Sequence, residues 1–406
     1  MNHHRFKILF ITLEYGKEIS GGIGRVVNSL SLALETNIDL QIMLLRNFRV
    51  IKYTRIYRFH RQKWIKRILG HFQPQILINL IQKEHFDAVH LFHVSPVTAE
   101  VVKIIKQFFP ELKIIYSCHS IAKYESDIRN IHPRLPRDEA FVLGQINHLH
   151  LLNQSSLQYF KAAYGPMAGK ISYSMIPNGI DAASFQAIDS RFKRKMNRLV
   201  YKNGKIAKGQ TINGCACARE LTVLCMSRWS WGKGLEYLLD AIPLVVAQYP
   251  NIRFIITGRR LISWEYRYWD YLQKIRQKMA RLKDYVIPMG WLNDRRRNLL
   301  LTLADIWVMP SLLEYFPYSI LEPMIAKVPI ISSRLDCVEE MLRDNEDCLF
   351  YEPTHPEQLA EQIIKLIENP DLRRQLAVNA YAKAKAYQWD RISELYLRMY
   401  QRVIGS

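Results

Sequence analysis

The sequence predicts an α/β protein with two doubly wound, Rossmann-like domains. Short apolar runs alternate with longer segments of helical periodicity, a pattern typical of buried parallel strands and the helices that cover them. The alternation stops in a basic segment without periodicity, residues 190–218, and then restarts. The chain has 406 residues, 49% of them hydrophobic, which is enough for two separate cores.

The predicted strands divide into two sets on either side of the basic segment. In the first domain, residues 1–189, they are 6–13, 39–45, 88–92, 114–118, 148–152 and 172–176. In the second domain, residues 219–386, they are 221–226, 253–257, 285–288, 306–309, 329–332 and 348–351. Two helical patterns, 371–387 and 390–403, close the chain, and we therefore predict helices between and after two sheets.

The composition indicates an anionic partner and argues against a disulfide-rich, zinc-binding or membrane-spanning protein. Lys and Arg number 57 against 37 Asp and Glu, a formal net charge of +20, which indicates an anionic partner such as nucleic acid, an acidic membrane or a phosphorylated substrate. The six cysteines form neither a disulfide framework nor a zinc pattern with histidine, so we expect a reducing compartment. The first apolar run is too short for a membrane helix and has no cleavage site, so we expect no signal peptide and no transmembrane span.

Three glycines follow the first predicted strand. Gly21, Gly22 and Gly24 lead into a helix that runs to about Leu34. Glycines allow the backbone to approach a phosphate, and a helix N-terminus offers amide donors to it. Val27 occupies the position of the third glycine of a dinucleotide fingerprint, so a nicotinamide-dependent enzyme is not expected. A tight turn without a ligand would explain the same glycines.

Two cations follow the first strand of the second domain. Arg228 and Lys233 lie between that strand and a helix, at the edge where open α/β sheets bind their ligands. Two cations beside a helix N-terminus suit a diphosphate leaving group, whose charge rises as its bond to a sugar breaks. The alternative is a solvated basic loop.

Two carboxylates and a histidine complete the set of candidate site residues. Glu314 and Glu322 lie eight positions apart, after a strand and in the following helix, where they could accept hydrogen bonds from sugar and ribose hydroxyls. Ser319 and Glu322 also fit a helix-capping box. His119 ends the fourth predicted strand and could reach the edge of the first sheet, although a structural histidine is the alternative.

These residues together resemble the retaining, nucleotide-sugar-dependent glycosyltransferases of family 4, of the bacterial polysaccharide and glycolipid type. That family has the GT-B architecture, in which two Rossmann-like domains face a central cleft. The most specific match is the paired-glutamate motif from Glu314 to Glu322 with its flanking strands. The segments that carry the resemblance are 87–90, 177–181, 228–234, 304–332, His119 and the terminal Trp389 and Asp390.

The resemblance implies roles for the matched residues. Arg228 and Lys233 would hold the donor diphosphate, with Gly22 lining the same side of the cleft. Glu322 would bind the ribose of the nucleotide.

The catalytic residues of the family would correspond to His119 and Glu314, both beside the donor sugar. Other possible donor contacts are Gly258, Phe316, Pro317 and Tyr318. Pro317 replaces the usual glycine and removes one backbone amide near the donor. The terminal helix, 387–406, would pack back on the first domain.

The sequence contains no Asp-x-Asp motif, which other glycosyltransferases use to bridge a metal ion. We therefore expect no cofactor and no metal. Cationic side chains and helix-terminal amides would instead neutralise the leaving diphosphate.

The predicted function is retaining transfer of a sugar from a nucleoside diphosphate sugar to a glycan acceptor. We expect a lipid-linked precursor of envelope or capsular polysaccharide, or a glycolipid. A sugar-nucleotide epimerase on the same architecture and a catalytically silent binding or scaffold subunit remain as alternatives. No nucleic-acid-binding module is recognisable, so we expect no nucleic-acid partner.

A basic segment in the first domain predicts attachment to an anionic membrane surface. Between Arg46 and Lys83 there is no Asp or Glu, and cations alternate with aromatic residues. The membrane patch consists of Arg61, Lys63, Trp64, Lys66 and Arg67. An amphipathic basic helix of this kind lies on an acidic leaflet, which would make the protein cytoplasmic and peripheral on the inner face of the membrane. The alternative is that its apolar stripe packs on the protein's own sheet.

Overall fold

The chain forms two compact units in a computed structural model, which describes residues 5–16, 21–45, 49–52, 73–128, 134–186, 221–258 and 268–405. The N-terminal unit comprises Met1–Gly179 and Tyr387–Ser406, and the C-terminal unit comprises Ile180–Ala386. The segment expected to be a linker, 190–218, lies outside the described residues. The same holds for the membrane patch.

The N-terminal unit contains a seven-stranded sheet in the order β3-β2-β1-β4-β5-β6-β7. Its strands are β1 (Lys7–Thr12), β2 (Asp39–Leu44), β3 (Arg49–Lys52), β4 (Ala88–Leu91), β5 (Lys113–Ser117), β6 (His148–Leu151) and β7 (Tyr173–Met175). Its helices are α1 (Gly22–Leu34), α2 (Pro74–Glu84), α3 (Pro96–Phe108), α4 (Ala122–Ile128), α5 (Arg134–Leu143) and α6 (Gln154–Ala168). Neighbouring strands are parallel except for β2 and β3.

The C-terminal unit contains a six-stranded parallel sheet in the order β10-β9-β8-β11-β12-β13. Its strands are β8 (Leu221–Met226), β9 (Ile252–Thr257), β10 (Val286–Met289), β11 (Ile306–Met309), β12 (Ile330–Ser333) and β13 (Leu349–Tyr351). Its helices are α7 (Ala183–Gln186), α8 (Leu235–Val246), α9 (Tyr268–Arg281), α10 (Asp294–Leu303), α11 (Tyr318–Ala326), α12 (Asp336–Glu339), α13 (Pro356–Glu368) and α14 (Pro370–Ala384). This strand order is that of a doubly wound nucleotide-binding sheet.

The structure confirms the two doubly wound sheets, and every predicted strand is present with its ends shifted by no more than one residue. The continuous apolar runs identify these strands because both faces of each sheet are covered. Ile8, Leu9 and Phe10 of β1 are successive residues, point to opposite faces and are all fully buried. Among the strands of the described residues, β3 is the one that the sequence patterns missed; this short strand has a cation at each end and pairs antiparallel with β2.

The last helix of the chain, α15 (Trp389–Ile404), belongs to the N-terminal unit and packs on α1. Its first residue, Trp389, lies against Gly179. A Cβ atom at Gly179 would lie 2.4 Å from the indole ring, so only glycine fits beneath Trp389.

A chain of buried hydrogen bonds joins α15 to the strands of the N-terminal sheet. Tyr400 Oη lies 2.8 Å from His90 Nδ1, and His90 Nε2 lies 2.7 Å from Ser117 Oγ. Ser117 Oγ lies 2.6 Å from His150 Nδ1, and His150 Nε2 lies 2.8 Å from the carbonyl oxygen of Ile176.

The end of this chain determines its direction. A carbonyl only accepts, so His150 Nε2 donates to it and His150 Nδ1 accepts from the Ser117 hydroxyl. Ser117 then accepts from His90 Nε2, and His90 Nδ1 accepts from the Tyr400 hydroxyl. Both histidines are neutral in this arrangement. Burial lowers the pKa of His90 well below its ordinary value and that of His150 to about 4.

These histidines predict an acid-sensitive N-terminal unit. In the unfolded chain both bind protons below about pH 6.5. In the folded chain the pKa of His150 is lowered to about 4, and that of His90 also lies well below its ordinary value. Because the unfolded state binds more protons, the free energy of unfolding falls as the pH is lowered. Each histidine contributes about 1.4 kcal/mol per pH unit to this fall within this window. Pulse hydrogen exchange along a urea titration, read by mass spectrometry, should show an earlier N-terminal transition at pH 5.5 than at pH 7.5.

The C-terminal unit is the internal control for this measurement. Its single histidine, His355, is exposed. Its peptides should therefore shift less between the two pH values. Equal shifts of the two units would contradict the assignment of the acid sensitivity to the buried histidines.

The contact between Gly179 and Trp389 makes a second prediction. Gly179→Ala should destabilise the N-terminal unit by about 1–3 kcal/mol, because the methyl group overlaps the indole ring. Gly169→Ala is the matched control, since a Cβ atom there meets nothing closer than 4.0 Å. The same urea titration should show a lower N-terminal midpoint for the first variant only, and an unchanged midpoint for both would disprove the packing constraint.

Candidate active site

An ion pair joins two loops at the carboxyl edge of the C-terminal sheet. Lys233 Nζ, from the loop after β8, lies 2.5 Å from Glu314 Oε1, from the loop after β11. The side chains are only 15% and 12% exposed, so water screens this pair weakly. Since β8 and β11 are neighbours in the sheet, the structure brings together two residues that the sequence proposed as separate donor contacts.

Two serines hold Glu314 in place. Ser311 Oγ donates a hydrogen bond of 2.8 Å to the same Oε1 atom of Glu314. Ser333, at the end of β12, donates its hydroxyl to the carbonyl oxygen of Ser311 at 2.5 Å. Neither serine has a role in the sequence motifs, although the position of Ser333 at the end of β12 and of Ser311 two residues past β11 was a usable signal.

The loops after β8 and β11 also meet through their backbones. The Leu312 amide donates to the Gly232 carbonyl oxygen at 2.9 Å. Gly234 has a φ of +59°, and a Cβ atom there would lie 1.8 Å from the carbonyl oxygen of Pro310. Glycine is therefore required at this crossing, both for its conformation and for its size.

Two helices begin beside the ion pair without a side-chain cap. Gly234 is the N-cap of α8 and Pro317 is the N-cap of α11, and neither gives a side-chain hydrogen bond. Uncapped first-turn amides are suited to an anion. Those of α8 closely follow Lys233 along the chain, and those of α11 follow Glu314. This edge of the sheet therefore combines a cation with two helix N-termini.

The structure corrects the capping interpretation of Glu322. The N-cap of α11 is Pro317, so Ser319 lies inside the helix and Glu322 lies beyond its first turn. The Ser319 hydroxyl contacts Met309 Sδ instead. Glu322 is buried, with Oε1 3.1 Å from Arg297 Nε.

Arg228 and Gly258 lie at the ends of the adjacent strands β8 and β9. The Arg228 side chain is exposed and makes no ion pair within the described part of the chain. Gly258 has a φ of +156°, and a Cβ atom there would lie 1.8 Å from the carbonyl oxygen of Ser227. The glycine thus lets the end of β9 pass close to the segment that carries Arg228.

The remaining predicted donor contacts lie in the turn before α11. Phe316 and Pro317 are buried, and Tyr318 is the first residue of the helix. Proline has no backbone N–H, so Pro317 cannot donate one to a ligand.

Gly22 and His119 belong to the N-terminal unit. Gly22 is the exposed first residue of α1, and the preceding amide of Gly21 donates to Glu14 Oε2 at 2.9 Å. His119 follows β5, and both residues therefore lie at the carboxyl edge of that sheet.

The His119 imidazole is neutral at physiological pH. Its Nε2 is buried and has no hydrogen-bond partner among the described residues. Its ring is nearly parallel to that of Phe92, with centroids 6.3 Å apart. Burial, with smaller contributions from His150 and His93, lowers the pKa of His119 well below its ordinary value. The ring is thus a hydrogen-bonding group and not a cation.

His93, which none of the sequence motifs includes, lies just beyond β4 at the same edge. Its Nδ1 lies 3.4 Å from both Thr12 Oγ1 and the amide of Leu13, and burial lowers its pKa to about 4. The sequence signal for His93 was the same as for His119, namely a histidine just after a buried strand.

The described residues contain neither a cluster of metal ligands nor a helix that could span a membrane. No group of three or more His, Cys, Asp or Glu side chains in the described ranges is placed to hold a metal ion. None of the helices within those ranges has the length and apolar composition to cross a bilayer.

Part of the C-terminal unit is similar to a known protein family. Residues 218–383 match the family described as glycosyl transferases group 1. The chain is 27% identical over 237 residues to the phosphatidyl-myo-inositol mannosyltransferase of Mycobacterium tuberculosis, which covers 57% of this chain and 54% of that protein. This chain therefore spans about half the length of that relative. Spore coat protein SA of Bacillus subtilis is 21% identical over 344 residues, covering 80% of this chain and 87% of that protein.

Solved structures resemble the chain over almost its whole length. HepE of Anabaena, solved in complex with UDP-glucose, has a TM-score of 0.72 at 19% identity and covers 98% of this chain and 100% of its own. Sucrose-phosphate synthase of Thermosynechococcus elongatus has a TM-score of 0.75 at 16% identity and covers 99% and 100%. The chain therefore has the predicted GT-B fold, and its residues 218–383 match the glycosyl transferases group 1 model.

Proposed function

We propose that the protein is a glycosyltransferase that moves a sugar from a nucleoside diphosphate sugar to a glycan acceptor. The observation that carries this proposal is the weakly exposed Lys233–Glu314 pair beside two uncapped helix N-termini. A cation and free amides suit the diphosphate, and a carboxylate suits the hydroxyls of the sugar.

Each group at this edge then has a defined task. Lys233, Arg228 and the first-turn amides of α8 bind the diphosphate and stabilise the charge that develops on it as the glycosidic bond breaks. Glu314, held by Ser311, accepts hydrogen bonds from the donor sugar. Glu322 accepts hydrogen bonds from the ribose.

Donor binding changes the ion pair. The diphosphate competes with Glu314 for the Lys233 ammonium group. Hydrogen bonds from the sugar hydroxyls to Glu314 replace part of the interaction that Glu314 loses with Lys233. Cations and amides perform the charge neutralisation in this proposal, so transfer requires no metal ion.

The N-terminal unit contributes Gly22 and His119 in this proposal. The neutral imidazole of His119 offers a hydrogen bond to a donor hydroxyl, which the buried and unpartnered Nε2 atom supports. Gly22 offers its backbone at the N-terminus of α1, a position suited to an anionic group. We further propose a retaining reaction in which the leaving phosphate accepts the acceptor's proton on the same face.

Relatives support the proposed donor and acceptor classes. The Anabaena neighbour was solved with UDP-glucose, which supports a nucleoside diphosphate sugar as donor. The Mycobacterium relative is named for a phosphatidyl-myo-inositol acceptor, which supports a lipid-linked acceptor or a glycolipid. No feature of the described residues favours the epimerase or the silent subunit over transfer.

The diphosphate site can be tested by removing its cations. Arg228→Ala and Lys233→Ala should each lower turnover by about two orders of magnitude or more, because a charge-assisted contact to the leaving group is lost in the transition state. Transfer from UDP-sugars and GDP-mannose to membrane lipid extract should be measured by mass spectrometry of the products, in excess EDTA.

Lys283→Ala is the matched control, because it removes an exposed cation away from the site. Near-normal transfer by the two site variants would disprove the assignment. Activity that EDTA abolishes and Mg²⁺ or Mn²⁺ restores would disprove metal independence. Interconversion of sugar nucleotides without transfer would identify an epimerase.

The proposed lipid acceptor makes a further prediction about membrane binding. The protein should cosediment with vesicles that contain anionic lipid, and raised salt should weaken binding because it screens the charges. Replacing Arg61, Lys63, Lys66 and Arg67 of the membrane patch by Gln should release it from the vesicles. Transfer to a short soluble acceptor should persist.

A control variant with the same change of charge distinguishes an effect of the membrane patch on vesicle binding from an effect of the overall net charge. Lys274, Arg276, Arg281 and Lys283 are exposed cations in and just after α9, and their replacement by Gln should leave vesicle binding nearly unchanged. Equal release by the two quadruple variants would show that overall charge, and not the patch, causes binding.

A further inference from the structure

Arg297 is a mostly buried cation that none of the sequence motifs includes. It lies on α10, which packs against α11, and its side chain is only 12% exposed. Arginine is seldom buried to this extent without a partner. Its neighbours on the same helix, Arg295 and Arg296, are exposed.

The helix itself orients the Arg297 guanidinium. One terminal nitrogen lies 2.5 Å from Asp294 Oδ1, one turn earlier on α10, and the other lies 3.3 Å from Asn298 Oδ1. The Asp294 carboxylate is 75% exposed, so water screens its charge strongly. Asp294 therefore fixes the geometry of Arg297 more than it neutralises its charge.

The partner on the buried side is Glu322, whose side chain is only 7% exposed. A carboxylate this deeply buried is costly unless a cation lies nearby. Arg297 Nε lies 3.1 Å from Glu322 Oε1, although the direction of the N–H is not that of a hydrogen bond. The contact therefore stabilises the charge of Glu322 without a directed bond to that oxygen.

We propose that Arg297 is a positioning residue for the donor nucleotide and acts through Glu322. It fixes the Glu322 carboxylate where it accepts hydrogen bonds from the ribose hydroxyls. A carboxylate held in one position makes stronger directed hydrogen bonds to these hydroxyls. This inference rests on the ribose role of Glu322 under the proposed function.

A purely structural role for Arg297 makes different predictions. If the side chain only held α10 against α11, its loss would weaken binding of every nucleotide to the same extent. If Arg297 acts through Glu322, its loss matters only for nucleotides that carry ribose hydroxyls, and only while Glu322 is present.

The experiment is a double-mutant cycle read by calorimetry. The unmodified chain is first tested with UDP and GDP, and the nucleotide that binds more tightly is chosen. Every variant is then measured with that nucleotide and with its 2′,3′-dideoxy form. The full chain is compared with Arg297→Gln, Glu322→Gln and the double variant. Arg296→Gln is the matched control, because this exposed neighbour carries the same charge.

We expect Arg297→Gln to weaken binding of the ribose nucleotide about tenfold and to leave binding of the dideoxy nucleotide unchanged. The double variant should bind no more weakly than Glu322→Gln alone, and Arg296→Gln should bind like the unmodified chain. Arg297→Lys keeps a cation beside Glu322 and should restore part of the affinity, including in the event that Arg297→Gln does not fold.

Two outcomes would overturn this inference while leaving the ribose site in place. One is an equal loss of affinity for ribose and dideoxy nucleotides in both Arg297 variants. The other is additivity of the two substitutions in the double variant. Failure of the proposed function is distinguishable, because Glu322→Gln alone would then bind ribose and dideoxy nucleotides like the unmodified chain.

Discussion

The candidate site depends on one close approach between two backbone segments. Gly234 passes the carbonyl oxygen of Pro310 at a distance that leaves no room for a Cβ atom. This crossing places Lys233 against the loop after β11, where it pairs with Glu314. It also starts α8 at the same point, so the cation and the helix amides face one edge together. Any residue larger than glycine at 234 would separate these groups.

The ion pair of the candidate site is held by a series of contacts. Ser333 holds the loop that carries Ser311, Ser311 holds Glu314, and Glu314 holds Lys233. A separate pair, Arg297 and Glu322, joins α10 and α11. Charged groups that are held in advance need little reorganisation when a ligand arrives, which is the property that a site for a developing charge requires.

The buried histidines of the N-terminal unit are uncharged, in contrast to the ion pair of the C-terminal unit. Burial keeps His90, His119 and His150 neutral, and two of them belong to a directed chain of hydrogen bonds that ends on Tyr400 of the last helix. Neutral imidazoles discriminate hydroxyl groups by hydrogen-bond direction and not by charge. In the proposed reaction this suits a group that contacts the sugar, while the cations of the C-terminal unit suit the phosphates.

Local patterns predicted the strands, because a buried parallel strand consists mostly of consecutive apolar residues. They did not predict β3, because this strand has no continuous apolar run and is defined by its pairing with β2. The sequence also proposed Lys233 and Glu314, but their ion pair joins residues 81 positions apart and could not be predicted from spacing. Among the three consecutive arginines of α10, only the packing of that helix on α11 selects Arg297 as the partner of Glu322.

The most direct test of this account is a crystal structure of the chain with bound UDP or GDP. We expect the diphosphate within hydrogen-bond distance of Lys233 Nζ and the first amides of α8, with the contact between Lys233 and Glu314 lengthened. A diphosphate bound elsewhere, with that ion pair unchanged, would contradict the central claim.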